Sequence, residues 1–118
     1  MRAMLQQYLR RYRDREAIAA MSGRELDDLG LSREQALRFA DMSPDVPRRV
    51  IAMAQVFGVT EDDLRKDDST WLQMLETCED CEALNACRRF LMLEDFVTAE
   101  QAGFCPNRAT IAQQASPA

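Results

Sequence analysis

The sequence contains no histidine among its 118 residues. This absence excludes catalysis by a cysteine–histidine pair, haem held by histidine, and zinc sites that need two histidines. The chain has only four glycines, and it has neither a phosphate-binding glycine loop nor a recognisable nucleophile motif. We therefore expect that the protein is not an enzyme.

Long apolar runs are also absent. No stretch approaches the length of a membrane span, and the first residues lack the uninterrupted apolar segment of a secretory signal. We therefore expect a cytoplasmic protein with no membrane association. Because the cytoplasm keeps thiols reduced, four cysteines there are better explained by metal binding than by disulfides.

Aromatic residues make up 7% of the chain, whereas Ala, Leu, Arg, Glu and Met are abundant. This balance favours helices over strands. Helix-start signals, in which Ser or Thr is followed three residues later by an acidic residue or Gln, recur along the chain. The sequence predicts an all-α fold, a small irregular bundle of short capped helices with a four-cysteine metal site.

The order of these signals predicts where the helices lie. The starts are Ser22 with Glu25, Ser32 with Gln35, and Thr60 with Asp63, and the stops are Gly30 and Gly58. Other helices are predicted for Met1–Met21, from Asp45, from Asp68 or Ser69 to Cys78, and from Arg88 to about Phe96. The break at Ser43-Pro44 separates an N-terminal arm, 1–43, from a cysteine-containing domain, 44–118, and we expect both to form one compact unit.

The formal net charge of -5 is unevenly distributed. Residues 1–20 hold five arginines and two acidic residues, so the remaining chain carries -8. Because nucleic-acid binding needs a concentrated basic surface, we do not expect a nucleic-acid partner. A binding role for the basic first helix stays open beside its reading as a solvated helix face.

All four cysteines fall in a single segment of the chain. Cys78, Cys81, Cys87 and Cys105 form the pattern C-x2-C-x5-C-x17-C-P. Zinc sites with four cysteines usually have two C-x2-C hooks, and this chain has one. Iron–sulfur clusters accept ligands from one compact loop plus a distant residue. We therefore predict that the four cysteines bind a [4Fe-4S] cluster, with Zn²⁺ as the alternative.

The surroundings of the cysteines predict a shielded and negatively charged site. Apolar residues flank the ligands and are expected to exclude water and oxygen; they are Trp71, Leu75, Phe90, Leu91, Phe96 and Phe104. Asn85 lies where a turn would direct backbone N–H groups at sulfur. From Glu76 to Cys105 seven acidic residues outnumber two arginines, which we expect to lower the reduction potential of a bound cluster.

Three segments resemble known families. Residues 21–33, MSGRELDDLGLSR, resemble the core of the DUF1127 proteins of proteobacteria, and the region from about Val46 to Ile111, with its Phe-Cys-Pro-Asn ending, resembles the DUF6455 family of alphaproteobacteria. The C-x2-C-x5-C run is similar to that of [4Fe-4S] regulators of the fumarate-nitrate-reduction type, WhiB-like proteins and SPASM extensions. These resemblances imply a bacterial, cysteine-ligated domain.

Three functions fit this sequence. The first is a redox- or oxygen-responsive regulatory or accessory protein that binds an iron–sulfur cluster and acts through a protein partner. The second is an electron-transfer carrier or a small subunit of a redox enzyme. The third is an interaction module whose fold is stabilised by zinc.

Overall fold

The structure is a computed structural model and describes residues 14–116. This part of the chain contains helices, turns and loops but no strand, which confirms the predicted all-α fold. None of its helices combines the length and apolar character needed to cross a membrane. The chain divides into two compact units, Met1–Ser43 and Pro44–Ala118. The prediction that both form one unit stays a prediction.

The first unit contains short helices joined by tight turns. Residues 14–20 are helical, whereas residues 1–13 of the predicted first helix lie outside the described part. Helices α1 (Gly23–Leu29) and α2 (Arg33–Asp41) follow. The Arg33 guanidinium donates to the carbonyl oxygens of Ile18, Ala19 and Met21 at 2.7 to 3.0 Å. It thereby satisfies acceptors that the end of a helix leaves without intrahelical partners.

The second unit holds most of the helices, and its boundaries follow local signals. They are α3 (Asp45–Val56), α4 (Glu61–Arg65), α5 (Asp68–Glu79), α6 (Leu84–Met92), two 3₁₀ turns (Glu94–Phe96 and Ala99–Gln101) and α7 (Arg108–Gln113). Helices α3, α4 and α5 contact one another. Their core side chains include Leu64 and Met74, which are fully buried. Burial of each such side chain stabilises the fold by about 1.5–3 kcal/mol.

The predicted capping boxes are confirmed. The side chains of Ser22, Ser32 and Thr60 accept hydrogen bonds from the third residue of the helix that follows, and that residue bonds back to the cap. The predicted stops are confirmed as well, because Gly30 and Gly58 adopt φ of 73° and 74°. At Gly58 the Val59 N–H donates to the Ala54 carbonyl oxygen, closing the turn that ends α3.

The helix predicted from Arg88 to Phe96 has different boundaries in the structure. It begins four residues earlier, at Leu84, after Ala83, which makes no side-chain cap. It ends at Met92 and is followed by a separate 3₁₀ turn. The reason for the break is Glu94, whose φ of 48° is left-handed and cannot continue a right-handed helix.

Candidate metal centre

Four different structural positions supply the cysteines. Cys78 lies in the last turn of α5 and Cys81 in the turn that follows, where the Cys81 N–H donates to the Cys78 carbonyl oxygen at 3.2 Å. Cys87 lies near the start of α6, and Cys105 lies between the second 3₁₀ turn and α7. All four are free thiols; Cys105 is buried and the others are half-buried.

One small cavity brings the four cysteines together. Its volume is about 30 Å³, and all four side chains line it. Apolar residues complete the wall, namely Val50, Met53, Leu84, Phe104, Pro106 and Ile111. Residues as far apart in sequence as Val50 and Ile111, which are 61 positions apart, thus meet at one place, which the C-x2-C-x5-C-x17-C spacing predicted only in outline.

Polar groups of the cavity act on three of the four sulfur atoms. The Ala83 backbone N–H donates to Cys81 Sγ at 3.3 Å. The Arg49 guanidinium and the Asn107 backbone N–H belong to residues of the cavity wall, and they act to lower the pKa of Cys78 and of Cys105, respectively. Such bonds favour the negatively charged thiolate over the thiol. The predicted donor segment around Asn85 is corrected here, because Asn85 lies within the first turn of α6 and Ala83 makes the bond.

Burial opposes this effect at three of the thiols and favours their protonated form in the metal-free protein. It raises the pKa of Cys78 and of Cys105. Burial, together with the neighbouring Cys105 and Cys78, raises the pKa of Cys87 to about 11. Several thiolates in one cavity repel each other, so the set ionises readily only when a cation joins it.

The thiols share the cavity but are not gathered around one point. Within residues 14–116, no group of three or more Cys, Asp or Glu side chains is arranged to hold a single metal ion. Tetrahedral zinc at about 2.3 Å from each sulfur would require sulfur–sulfur distances of about 3.8 Å. In a cubane each cysteine binds a different iron, so the sulfurs stand farther apart. The donor set fits either group chemically, and metal binding by these cysteines stays a prediction.

The volume of the cavity limits how readily it could hold a cluster or a single metal ion. A cavity of about 30 Å³ admits about two water-sized groups. A cubane core is larger than this, so the wall of the cavity would have to open to receive it. A single ion demands less movement.

The predicted shield is confirmed only in part. Phe104 lines the cavity, and Phe90 packs against it edge-on at 5.3 Å between ring centres. Trp71 and Leu75 are buried in the core but do not line the cavity. Phe96 was expected to cover the cysteines, but 87% of its surface is exposed. The break at Glu94 turns the chain after α6 and leaves Phe96 in solvent.

Sequence reasoning missed Arg49. This half-buried residue lies in α3, between the buried residues Val46 and Val50, and it lines the cavity. Its position on the apolar side of a helix is a signal that the sequence contains. That it meets Cys78, 29 residues farther along the chain, in one cavity wall depends on the packing of α3 against α5.

Two family models match this chain, and they meet at residue 37, within α2. A family model described as a family of unknown function, DUF6455, matches residues 37–116. This match covers more than half of the chain. The chain belongs to the DUF6455 family. All four cysteines fall inside the DUF6455 match, which confirms the resemblance of the C-terminal part.

A second model, that of a YjiS-like domain, matches residues 1–37. The N-terminal segment is therefore similar to YjiS-like domains, and DUF1127, the family that its sequence resembles, is not the model found. No curated protein and no solved structure matches this DUF6455 protein.

Proposed function

We propose that this DUF6455 protein binds a [4Fe-4S] cluster through Cys78, Cys81, Cys87 and Cys105 and acts as a redox-responsive regulatory or accessory protein. The observation that carries the proposal is the meeting of all four thiols in one apolar-walled cavity, with a backbone N–H donor at Cys81 and the Arg49 guanidinium in the wall. When bound, the cluster would supply one-electron redox chemistry and sensitivity to oxygen. The chain would supply thiolates, hydrogen bonds and the apolar wall.

The structure suggests which part of the chain would respond to cluster loss. Helix α7 is held by contacts that need no cluster, because Ile111 is buried and the Asn107 Nδ2 donates to the Met74 carbonyl oxygen at 2.8 Å. The segment between α6 and Cys105 has only two short 3₁₀ turns, and most of its side chains are exposed or half-buried. A cluster that joins Cys87 to Cys105 would link the helix before this segment to the residue at which the segment ends.

This same segment presents a surface suited to a partner protein. Met92, Leu93 and Phe96 are exposed by 80%, 53% and 87%. The acidic residues Glu94, Asp95 and Glu100 stand among and beside them and are exposed. The complementary partner is a protein with an apolar pocket and a basic rim. Cluster loss would loosen this surface and thereby weaken the partner's binding.

Hydrogen exchange measured by mass spectrometry tests the proposed response. Protein carrying its metal group is compared with protein from which oxidation and a chelator have removed it. We expect faster exchange for residues 94–103 after removal, and little change at Met74 in α5, because packing alone holds that helix. Equal exchange of residues 94–103 in both forms would contradict the response.

The small cavity favours a second candidate function. A Zn²⁺ ion needs less space than a cubane, and it would contribute folding energy to a unit with a small core. The protein would then be an interaction module without redox chemistry. Its metal-loaded form would be colourless and would contain no sulfide, which separates it from the cluster-binding form.

A further inference from the structure

Arg49 is placed differently from the arginine beside it. Arg49 is half-buried and lines the cysteine cavity, whereas the Arg48 side chain is 75% exposed and lies 3.7 Å from Asp45. Both belong to the first half of α3. The chain thus holds two consecutive arginines of the same helix, of which only one reaches the cysteines.

The positive charge of Arg49 is needed at the cysteine cavity. The segment that carries the cysteines is strongly acidic, and four thiolates would add further negative charge. Arg108 also lies near a cysteine, but it is exposed and its Nη1 donates to the Cys105 carbonyl oxygen at 3.0 Å. Among the residues that line the cysteine cavity, Arg49 is the one with a cationic side chain.

We propose that Arg49 is the positioning residue of the cysteine centre, which holds the Cys78 sulfur at the cavity and compensates the negative charge of the loaded site. This inference rests on the proposed function of the four cysteines. A planar guanidinium suits the role because it remains charged at all accessible pH values and presents several N–H donors in a fixed geometry.

The position of Arg49 also limits the size of its effect. The same side chain lines an open groove on the outer surface, together with Arg48, Ala52, Arg88 and Met92. Solvent in this groove screens part of the charge, so the interaction is weaker than that of a fully buried pair. We therefore expect that loss of the guanidinium changes equilibrium constants of the loaded site by about tenfold. This factor lies at the lower end of the range for charge-assisted hydrogen bonds.

The test compares Arg49→Gln, Arg49→Lys and the matched control Arg48→Gln in the full chain. With the cluster assembled, Arg49→Gln should shift the equilibrium between oxidised and reduced cluster about tenfold toward the oxidised form. For a one-electron couple this corresponds to a reduction potential about 59 mV lower. Arg49→Lys should recover part of the shift, because it restores the charge without the planar donors. Arg48→Gln should match the wild type. A potential for Arg49→Gln equal to that of the wild type would overturn the inference while the proposed function stands.

A second measurement needs no cluster. In metal-free, reduced protein, alkylation of each cysteine is followed by mass spectrometry. Loss of the guanidinium should slow alkylation of Cys78 about fivefold relative to Cys81, because the thiolate is the reactive form. If the wild type assembles no cluster, the proposed function fails. The ratio of the alkylation rates of Cys78 and Cys81 then decides the role of Arg49. An unchanged ratio in both Arg49 variants would overturn it.

Discussion

The side chain of Asn107 makes a buried hydrogen bond whose removal should destabilise the second unit. Asn107 is 5% exposed, and its Nδ2 donates to the Met74 carbonyl oxygen at 2.8 Å. The bond joins the start of α7 to the middle of α5, 33 residues away. Asn107→Ala removes this donor but keeps the backbone N–H of residue 107 beside the cysteine cavity.

The expected magnitude follows from the burial of this bond. Removing one partner of a buried hydrogen bond costs about 1–3 kcal/mol, so we expect Asn107→Ala to lower the free energy of unfolding by about 2 kcal/mol. For a unit of this size such a loss lowers the melting temperature by about 10 °C. Asn107→Asp should cost more, about 3 kcal/mol, because a buried carboxylate loses its hydration and cannot donate to the Met74 carbonyl oxygen.

The assay is urea unfolding followed by circular dichroism in metal-free, reduced protein, so that metal affinity does not enter the result. The matched control is Asn85→Ala, because Asn85 is exposed on α6. Its change should stay within about 0.5 kcal/mol of the wild type. An Asn107→Ala variant as stable as Asn85→Ala would refute the role given to this bond.

Three further predictions concern the backbone and the thiols. Gly58→Ala should lower the free energy of unfolding by about 1 kcal/mol, because φ at Gly58 is 74° and alanine is strained there. Gly103→Ala is the control: an added Cβ meets no atom at either position, so the two variants differ in backbone strain alone. Equal urea midpoints for the two variants would contradict this prediction. Glu94→Gly should stabilise the fold by about 1 kcal/mol, since Glu94 has φ of 48°, and an unchanged midpoint would show that no strain is stored there. The raised pKa of Cys87, about 11, lies above the ordinary thiol value of 9.0. The unfolded chain therefore releases this proton at a lower pH than the folded chain, and the metal-free protein should lose stability as pH rises from about 9 to 11. Urea unfolding across this range should show a smaller loss of stability in Cys87→Ser than in the wild type. Identical pH profiles of the two proteins would count against the raised pKa of Cys87.

Local signals made much of the fold predictable from the sequence. The starts at Ser22, Ser32 and Thr60 depend on side chains within three residues of each cap, so the sequence contains the whole interaction. The start of α6 was missed because Ala83 provides no such side chain. Its end was missed because a left-handed glutamate, Glu94, has no sequence signature.

The site was predictable only where the sequence places its residues close together. The four cysteines were predicted from their spacing, and the structure brings all of them to one cavity. Arg49 belongs to another helix and reaches the cavity through tertiary packing, which spacing does not encode. The prediction that Phe96 shields the cysteines was wrong for the same reason. Its hydrophobicity and its nearness in sequence did not reveal that the break at Glu94 would leave it exposed.

The content of iron, acid-labile sulfide and zinc in protein purified without oxygen tests the central claim most directly. A [4Fe-4S] cluster on the four cysteines predicts about four irons and four sulfides per chain, with broad visible absorption. Replacement of any one of the four cysteines by serine should lower both values together. One zinc per chain without sulfide, or no bound metal at all, would contradict the claim.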